Sequence, residues 1–98
     1  MLSDITSFEQ FRDKMIAADY DEVLERHWEA GVTVPVHTHP FEANALVTQG
    51  EMWLTEQGSL ARHLLPGDRF NLQANVHHEE RYGQQGATIW VARRARCG

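Results

Sequence analysis

The first part of the chain places apolar side chains at helical spacing, at Phe8, Phe11, Met15 and Ile16. Ser7, followed three residues later by Gln10, has the form of a capping box that opens such a helix. The pattern predicts an amphipathic helix over residues 7–18, within a helical arm of residues 1–19. We expect its apolar stripe to cover a sheet or a neighbouring subunit.

From residue 20 onward the apolar residues fall in runs of about four to eight, rich in Val, Leu, Trp, Thr and Ile and punctuated by Gly and Pro. Such runs predict short strands. We place them at residues 21–29, 32–39, 42–49, 51–56, 59–64, 69–72, 76–81 and 87–93. Gln57-Gly58 fits a tight hairpin turn. Strands of this number and length predict an all-β jelly roll or barrel over residues 20–98.

Composition and charge exclude several functional classes. A chain of 98 residues corresponds to one small domain. Its net charge of -5 argues against general nucleic-acid binding, because neutralising phosphates requires clustered Lys and Arg. We interpret the basic run Arg93, Arg94 and Arg96 as solvated or paired within the chain, rather than as an anion site. No apolar run reaches membrane length, and the N-terminus lacks the charged-then-apolar order of a signal peptide.

The lone cysteine and the small size suggest a compartment and a source of extra stability. Cys97 has no partner for an intramolecular disulfide, so a cytoplasmic location is expected. A core this small is expected to gain stability from a metal or from homodimerisation. Trp53 alternates against Met52 and Leu54, which places its ring on the outer face of the sheet. There it would anchor a homodimer or pack under the N-terminal helix.

Histidines carry the candidate chemistry. His37 and His39 stand one residue apart at the end of a predicted strand, where side chains at i and i+2 point the same way. Both imidazoles would therefore aim at one point, and a third from another strand could complete a metal site. His77 and His78 both compete for that third position. Adjacent strand residues face opposite sides, so only one of them can reach it.

The spacing around these histidines resembles the two sequence motifs of the cupin superfamily. Gly31, five residues, His37-Thr38-His39 and a strand ending at Gly50 match the first motif. Gly67, five residues, Gln73-Ala74-Asn75, two residues and His78 match the second. The superfamily pattern has Pro and Gly where this chain has Gln73 and Asn75, and Asn tolerates positive φ. The resemblance spans roughly residues 30–93 and implies an RmlC-like jelly-roll barrel, the double-stranded β-helix, with a short N-terminal helix.

The resemblance implies that His37, His39 and His78 are metal ligands, with His77 on the outside or at the barrel mouth. The glutamate that usually joins such histidines falls at Ala43, and Glu42 is one position early. A slip of one residue turns a strand side chain to the opposite face. Glu42 should therefore point away from the metal unless a β-bulge turns it inward. Three histidines with open positions is the expected arrangement.

Glu80, two residues after His78, shares its face and is the candidate catalytic residue. One interpretation is a buried ion pair with Arg62, or simple exposure at the strand end. The other is a group beside the metal ligands, or a general base. Met52 and Leu54 are expected to line the pocket, as apolar residues line most small-molecule sites.

Ligand type leaves the metal open among Zn, Fe, Ni, Mn and Cu. The first hypothesis is a small metal-binding cupin, expected to be a homodimer, whose open coordination site takes a small molecule with or without turnover. The second is a three-histidine Fe(II) dioxygenase, because some cupin thiol and diketone dioxygenases work with three histidines. The third is a non-catalytic small-ligand binder or sensor, resembling the cupin domains attached to transcription regulators. The chain has no helix-turn-helix of its own, which weakens a regulatory role.

Overall fold

The computed structural model describes residues 7–95, which form one helix followed by six strands. Helix α1 is Phe8–Ala17, and the strands are β1 Glu22–Trp28, β2 Thr33–His37, β3 Phe41–Glu56, β4 Arg62–Leu64, β5 Arg69–Leu72 and β6 His78–Ala95. Arg96 and Cys97 lie outside the described residues. No helix in residues 7–95 has both the length and the apolarity needed to cross a membrane.

Two long bent strands organise the sheet, where eight shorter strands were predicted. The predicted strands 42–49 and 51–56 are joined in β3, and 76–81 and 87–93 are joined in β6. The strands bend at glycines instead of ending there. Gly50 and Gly86 have φ of +74° and +70°, and a Cβ on Gly50 would lie 2.0 Å from the Gly86 carbonyl oxygen. Only glycine fits this close crossing, at which the pairing register also shifts.

The bends divide the sheet into two halves that share β3 and β6. The later part of β6 and the earlier part of β3 pair with β1 and β5, and the remaining parts pair with β2 and β4. The buried residues of both halves form one core cluster: Ala43, Ala45, Val47, Met52, Leu54, Leu64, Phe70, Leu72, Tyr82, Ala87 and Ile89. The architecture is the predicted mostly antiparallel β fold with one short N-terminal helix.

Helix α1 packs on the outer face of the half that contains β1. The Ser7 hydroxyl accepts from the Gln10 backbone N–H at 3.2 Å, so the predicted cap is confirmed. Phe11 and Met15 are buried there, and the ring of Phe11 lies 5.9 Å from that of Trp90. The tryptophan under the helix is therefore Trp90.

The prediction that Trp53 packs under the helix is wrong. Its ring lies on the outer face as predicted, but it stacks on His63 with 4.5 Å between centroids, while the Arg81 guanidinium carbon lies 4.0 Å from it. Trp53 belongs to the second half of β3, and α1 covers the first. A role for Trp53 at a homodimer interface stays a prediction.

Two turns show where local sequence was informative. Ser59 N–H donates to the Glu56 carbonyl at 2.9 Å, which forms the turn around Gln57 and Gly58. The following strand β4 begins only at Arg62, so the connection is longer than a tight hairpin. Asn75 has φ of +67°, which confirms that asparagine takes the positive-φ position of the second motif.

Candidate metal centre

Three histidines from two segments meet at one end of the barrel. His37, the last residue of β2, lies opposite His78, the first residue of β6, with ring centroids 4.2 Å apart. His39 follows in the next loop, whose backbone is held by a 2.7 Å hydrogen bond from Asn75 N–H to the His39 carbonyl. One donor atom from each of the three rings lies within 4.8 Å of the other two. The predicted histidines are therefore brought together.

Backbone carbonyls orient two of these rings. His37 Nδ1 lies 2.7 Å from the Pro35 carbonyl oxygen, and His78 Nδ1 lies 3.0 Å from that of Val76. Because a carbonyl only accepts, Nδ1 carries the proton in the neutral form of each ring, and that form has a free lone pair at Nε2. Metal-ligating histidines are usually oriented in this way. The nitrogen that each of these two rings offers to the cluster is therefore Nε2.

His78 Nε2 is buried and has no hydrogen-bond partner within residues 7–95, and the residue is only 2 % exposed. A buried nitrogen without a partner costs free energy unless something else satisfies it. A divalent cation held by the three imidazoles would do so, because each nitrogen would donate its lone pair to the ion. The donor set thus fits a transition metal.

Burial keeps His39 in the form that a metal needs. Its ring stacks on Phe41 with 4.8 Å between centroids. Desolvation by burial, followed by the nearby His37 and His78, lowers the pKa of His39 from its usual 6.5. At neutral pH the imidazole is therefore uncharged and able to coordinate.

Glu80 stands beside the histidines, as the shared strand face predicted. Its Oε2 lies 3.3 Å from His78 Nε2 and 3.7 Å from His37 Nε2, and its side chain is 12 % exposed. The Tyr82 hydroxyl donates a hydrogen bond to Oε1. Burial and the adjacent carboxylate raise the pKa of Tyr82, so the phenol keeps its proton and remains a donor.

The predicted ion pair between Arg62 and Glu80 is wrong. Arg62 Nη2 donates to the Arg69 carbonyl at 3.2 Å, and Nη1 lies 4.0 Å from Glu56. Leu54 pairs with Arg62 on one side and with Glu80 on the other, so the two are two strand spacings apart, about 9.6 Å. Alternation placed them on one face of the sheet, but the buried Leu54 side chain lies between them.

A cavity of about 130 Å³ adjoins the histidines. The prediction that Met52 and Leu54 line it is wrong, because neither residue is among those that form its wall. Apolar wall residues of the cavity include Trp28, Val34, Phe41, Ala43, Phe70 and Leu72. Arg26 and Arg93 line it as well. The space corresponds to about four water molecules, so it suits a small ligand.

Glu42 points away from this cavity, as predicted. The pairing of β3 with β6 runs from Phe41 to Val47 without a shift, so no β-bulge turns the side chain inward. Its carboxylate accepts from Arg94 Nε at 3.0 Å, Asn71 Nδ2 at 3.1 Å and the Tyr20 hydroxyl at 3.3 Å. The neighbouring Ala43 takes the inward position. His77, just before β6, and Glu79 are exposed, whereas His78 between them is buried.

Sequence reasoning missed the residues that surround Glu42 and those at the cavity mouth. Arg93 pairs with Glu22, and Arg94 pairs with Glu42, so the basic run is paired within the chain as far as it is described. Arg26 carried no motif. Its place on the inner face of β1, opposite Ile89, could have been found from the alternation of β1 only once the pairing was known.

Comparison with solved structures identifies proteins of the same fold. A cupin-like protein from Thermotoga maritima is 28 % identical, with a TM-score of 0.62 over 71 % of this chain and 54 % of its own. The DMSP lyase DddQ from Ruegeria pomeroyi is 27 % identical, with a TM-score of 0.65 over 74 % of this chain and 36 % of its own. An RmlC-like cupin from Shewanella frigidimarina is 24 % identical, with a TM-score of 0.64 over 76 % of this chain and 66 % of its own.

The chain thus spans between 36 % and 66 % of the length of these three neighbours. No protein-family model matches the sequence, and no curated protein matches it. The likeness therefore rests on three-dimensional structure.

Proposed function

Because the chain belongs to the cupin superfamily, as a small RmlC-like cupin, we propose that it holds a divalent transition metal through His37, His39 and His78. The metal site opens on a pocket for a small-molecule ligand. The observation that carries the proposal is the buried His78 Nε2 that has no hydrogen-bond partner in residues 7–95 and faces two further imidazoles. Zn, Fe, Ni, Mn and Cu all accept imidazole ligands, so the donors leave the metal open.

When bound, the metal would supply Lewis-acid activation of a ligand or water, or oxygen chemistry if it is iron. The chain's own residues bind and orient the ligand. The apolar walls exclude water, and the three histidines leave coordination positions free. Arg26 has no carboxylate partner in the described residues, and its guanidinium carbon lies 5.1 Å from the Trp28 ring centre. A free guanidinium at the cavity favours an anionic ligand, such as a small carboxylate.

A second candidate is the three-histidine Fe(II) dioxygenase. Alanine at position 43, where the superfamily has a glutamate, favours it, because the strand that usually gives the carboxylate gives none. The DMSP lyase among the structural neighbours supports turnover more generally, since it is an enzyme on this fold. Glu80 lies next to the histidines and is the residue we propose as proton acceptor or metal neighbour in either case.

Metal titration tests the proposal. The metal-free protein is titrated with Zn²⁺ and Co²⁺, in the wild type, in His39→Ala and in His77→Ala. We expect one equivalent of metal in the wild type and in His77→Ala, because His77 is exposed and does not belong to the histidine cluster. His39→Ala should lose affinity by about 100-fold or more, since a ligand is removed. Full occupancy in His39→Ala would overturn the ligand assignment.

Turnover is tested separately. Iron is restored to the protein, and oxygen consumption is measured with thiols and diketones as substrates. Consumption that is lost in His39→Ala supports the dioxygenase. Saturable binding of a small carboxylate without consumption of oxygen supports the ligand-binding role and overturns the dioxygenase.

A further inference from the structure

A carboxylate and a nitrogen lone pair face each other at the histidine cluster without a hydrogen bond between them. His78 Nδ1 is bonded to the Val76 carbonyl, which only accepts, so the neutral form of the ring has its proton on Nδ1 and a lone pair at Nε2. That atom is 3.3 Å from Glu80 Oε2 and makes no hydrogen bond. Two electron-rich atoms at this distance repel each other in the absence of a positive charge. A cation held between them would turn the repulsion into two bonds.

The distances are those between ligands of one metal ion. Two donors about 2.1 Å from a metal are about 3.4 Å apart at a tetrahedral angle and about 3.0 Å apart at a right angle. Glu80 Oε2 is 3.3 Å from His78 Nε2 and 3.7 Å from His37 Nε2. These separations match a carboxylate oxygen and two imidazoles around one ion.

The side chain also lacks the partners that a buried carboxylate would otherwise have. In residues 7–95, its ion-pair contacts are with His37 and His78, and neither lysine nor arginine approaches it within 4.0 Å. The Tyr82 hydroxyl holds Oε1 and leaves Oε2 directed at the imidazoles. A side chain only 12 % exposed is costly as an anion under these conditions. A metal would supply the missing positive charge.

Strand β3 has no inward carboxylate at position 43, where the superfamily has its glutamate. Ala43 fills the inward position, and Glu42 faces the other side, where Arg94, Asn71 and Tyr20 engage it. Resting on the proposed metal site, we infer that Glu80 is a fourth metal ligand, supplied by β6 instead of β3. In this chain the carboxylate would come from β6, the strand that also carries His78, where Glu80 stands two residues further along on the same face.

Metal affinity and the Co²⁺ spectrum test this inference without any enzyme assay. Metal-free wild type, Glu80→Gln and Glu42→Gln are titrated with Zn²⁺ against a chromophoric chelator. The Co²⁺ form of each is examined by visible absorption, which reports the coordination of the ion. We expect Glu80→Gln to bind Zn²⁺ about 10- to 100-fold more weakly, with a changed Co²⁺ spectrum. Glu42→Gln, the matched control on the opposite face, should stay within about 2-fold of the wild type.

A rescue variant separates coordination from a general loss of negative charge. Glu80→Gln combined with Ala43→Glu returns a carboxylate to the site from β3, and we expect part of the Zn²⁺ affinity to return. If Glu80→Gln keeps the affinity and Co²⁺ spectrum of the wild type while His39→Ala loses metal, Glu80 is not a ligand and the three-histidine proposal stands. If the wild type itself binds no metal, the proposed function fails and this inference fails with it. Circular dichroism of each metal-free variant shows that the fold is retained.

Discussion

Two glutamates with little solvent exposure, one on each face of the sheet, have opposite surroundings. Glu42 faces outward and is 6 % exposed, and at least three donors satisfy its carboxylate. Glu80 faces inward, where one phenol donates to it and two imidazoles lie beside its other oxygen. Glu42 is buried and Glu80 is nearly so, but only Glu42 has an arginine beside it to balance its charge.

This difference separates a structural carboxylate from a functional one. Arg94 bonds Glu42 and also donates from Nη1 to the Ala18 carbonyl at 3.1 Å, so the cluster ties the end of helix α1 to β3. The negative charge of Glu42 is compensated by hydrogen bonds that stabilise the fold. The charge of Glu80 remains available, because its neighbours are bases that a cation can also bind. The number of donors, more than depth of burial, distinguishes the two sites.

Removing Glu42 should have the largest effect on stability. Glu42→Ala leaves Arg94 and two polar side chains without their acceptor, so we expect the free energy of unfolding to fall by about 3 kcal/mol. Urea denaturation of the metal-free protein measures it. Glu80→Ala, in the same metal-free state, should change the value by only about 1 kcal/mol, because the Tyr82 hydroxyl loses its acceptor while a carboxylate without a cationic side-chain partner is removed. A larger loss for Glu80→Ala than for Glu42→Ala would reverse the comparison.

The contribution of Glu80 should be measurable as a gain in unfolding free energy when Zn²⁺ is added. At a free Zn²⁺ concentration of 100 times its Kd, the wild type should gain about 2.7 kcal/mol in unfolding free energy, because only the folded state binds. Glu42→Gln should gain the same amount at that concentration. Glu80→Gln, with about 30-fold weaker binding, should gain only about 0.9 kcal/mol. Urea denaturation with and without metal gives both numbers, and an equal gain in all three proteins would remove the distinction.

The sequence predicted the side of the sheet for each of these residues better than it predicted their neighbours. A period of two placed His37 and His39 on one face and Glu80 on the face of His78, because strand geometry fixes that alternation. The resemblance to the cupin motifs selected His78 over His77 and put Glu42 on the opposite face. The hydrogen-bond partners of Glu42 could not be predicted in this way. Tyr20 and Arg94 are 22 and 52 residues from Glu42 in the chain, and only the sheet register brings them there.

The erroneous pairing of Arg62 with Glu80 has the same origin. Alternation determines a face, but the distance along that face depends on the order of the strands, and β3 lies between β4 and β6. Strand number was overestimated because glycine usually ends a strand, whereas Gly50 and Gly86 let β3 and β6 bend and continue. Local patterns therefore gave the site histidines, and tertiary pairing decided what surrounds them.

The two tyrosines that serve these carboxylates offer a smaller test. Tyr20→Phe removes one donor from Glu42, and we expect a loss of about 1 kcal/mol in unfolding free energy with unchanged Zn²⁺ affinity. Tyr82→Phe removes the donor of Glu80, so Zn²⁺ affinity should change by about 10-fold, because the hydroxyl orients the carboxylate. Urea denaturation and Zn²⁺ competition are measured on both variants. Changed Zn²⁺ affinity in Tyr20→Phe would contradict the separation of the two sites.

The smallest expected effect is on the unfolding free energy at acidic pH, because the titration of one carboxyl group, that of Glu42, causes it. The hydrogen bond from Arg94, and next that from Asn71, lower the pKa of Glu42 from 4.5. Since the folded state holds the ionised form more tightly than the unfolded chain, this contribution is complete above pH 4.5. It is lost as the pH falls through the lower pKa of the folded protein. Glu42→Gln cannot ionise and lacks this contribution at every pH.

The stability of the wild type relative to Glu42→Gln should therefore decrease below pH 4.5. Urea denaturation of both metal-free proteins at a series of pH values from about 6 to about 3 measures the difference. Two profiles that stay parallel across this range would show that Arg94 and Asn71 do not hold Glu42 ionised. The outward carboxylate would then owe its place to packing alone, and its donors would no longer distinguish it from Glu80.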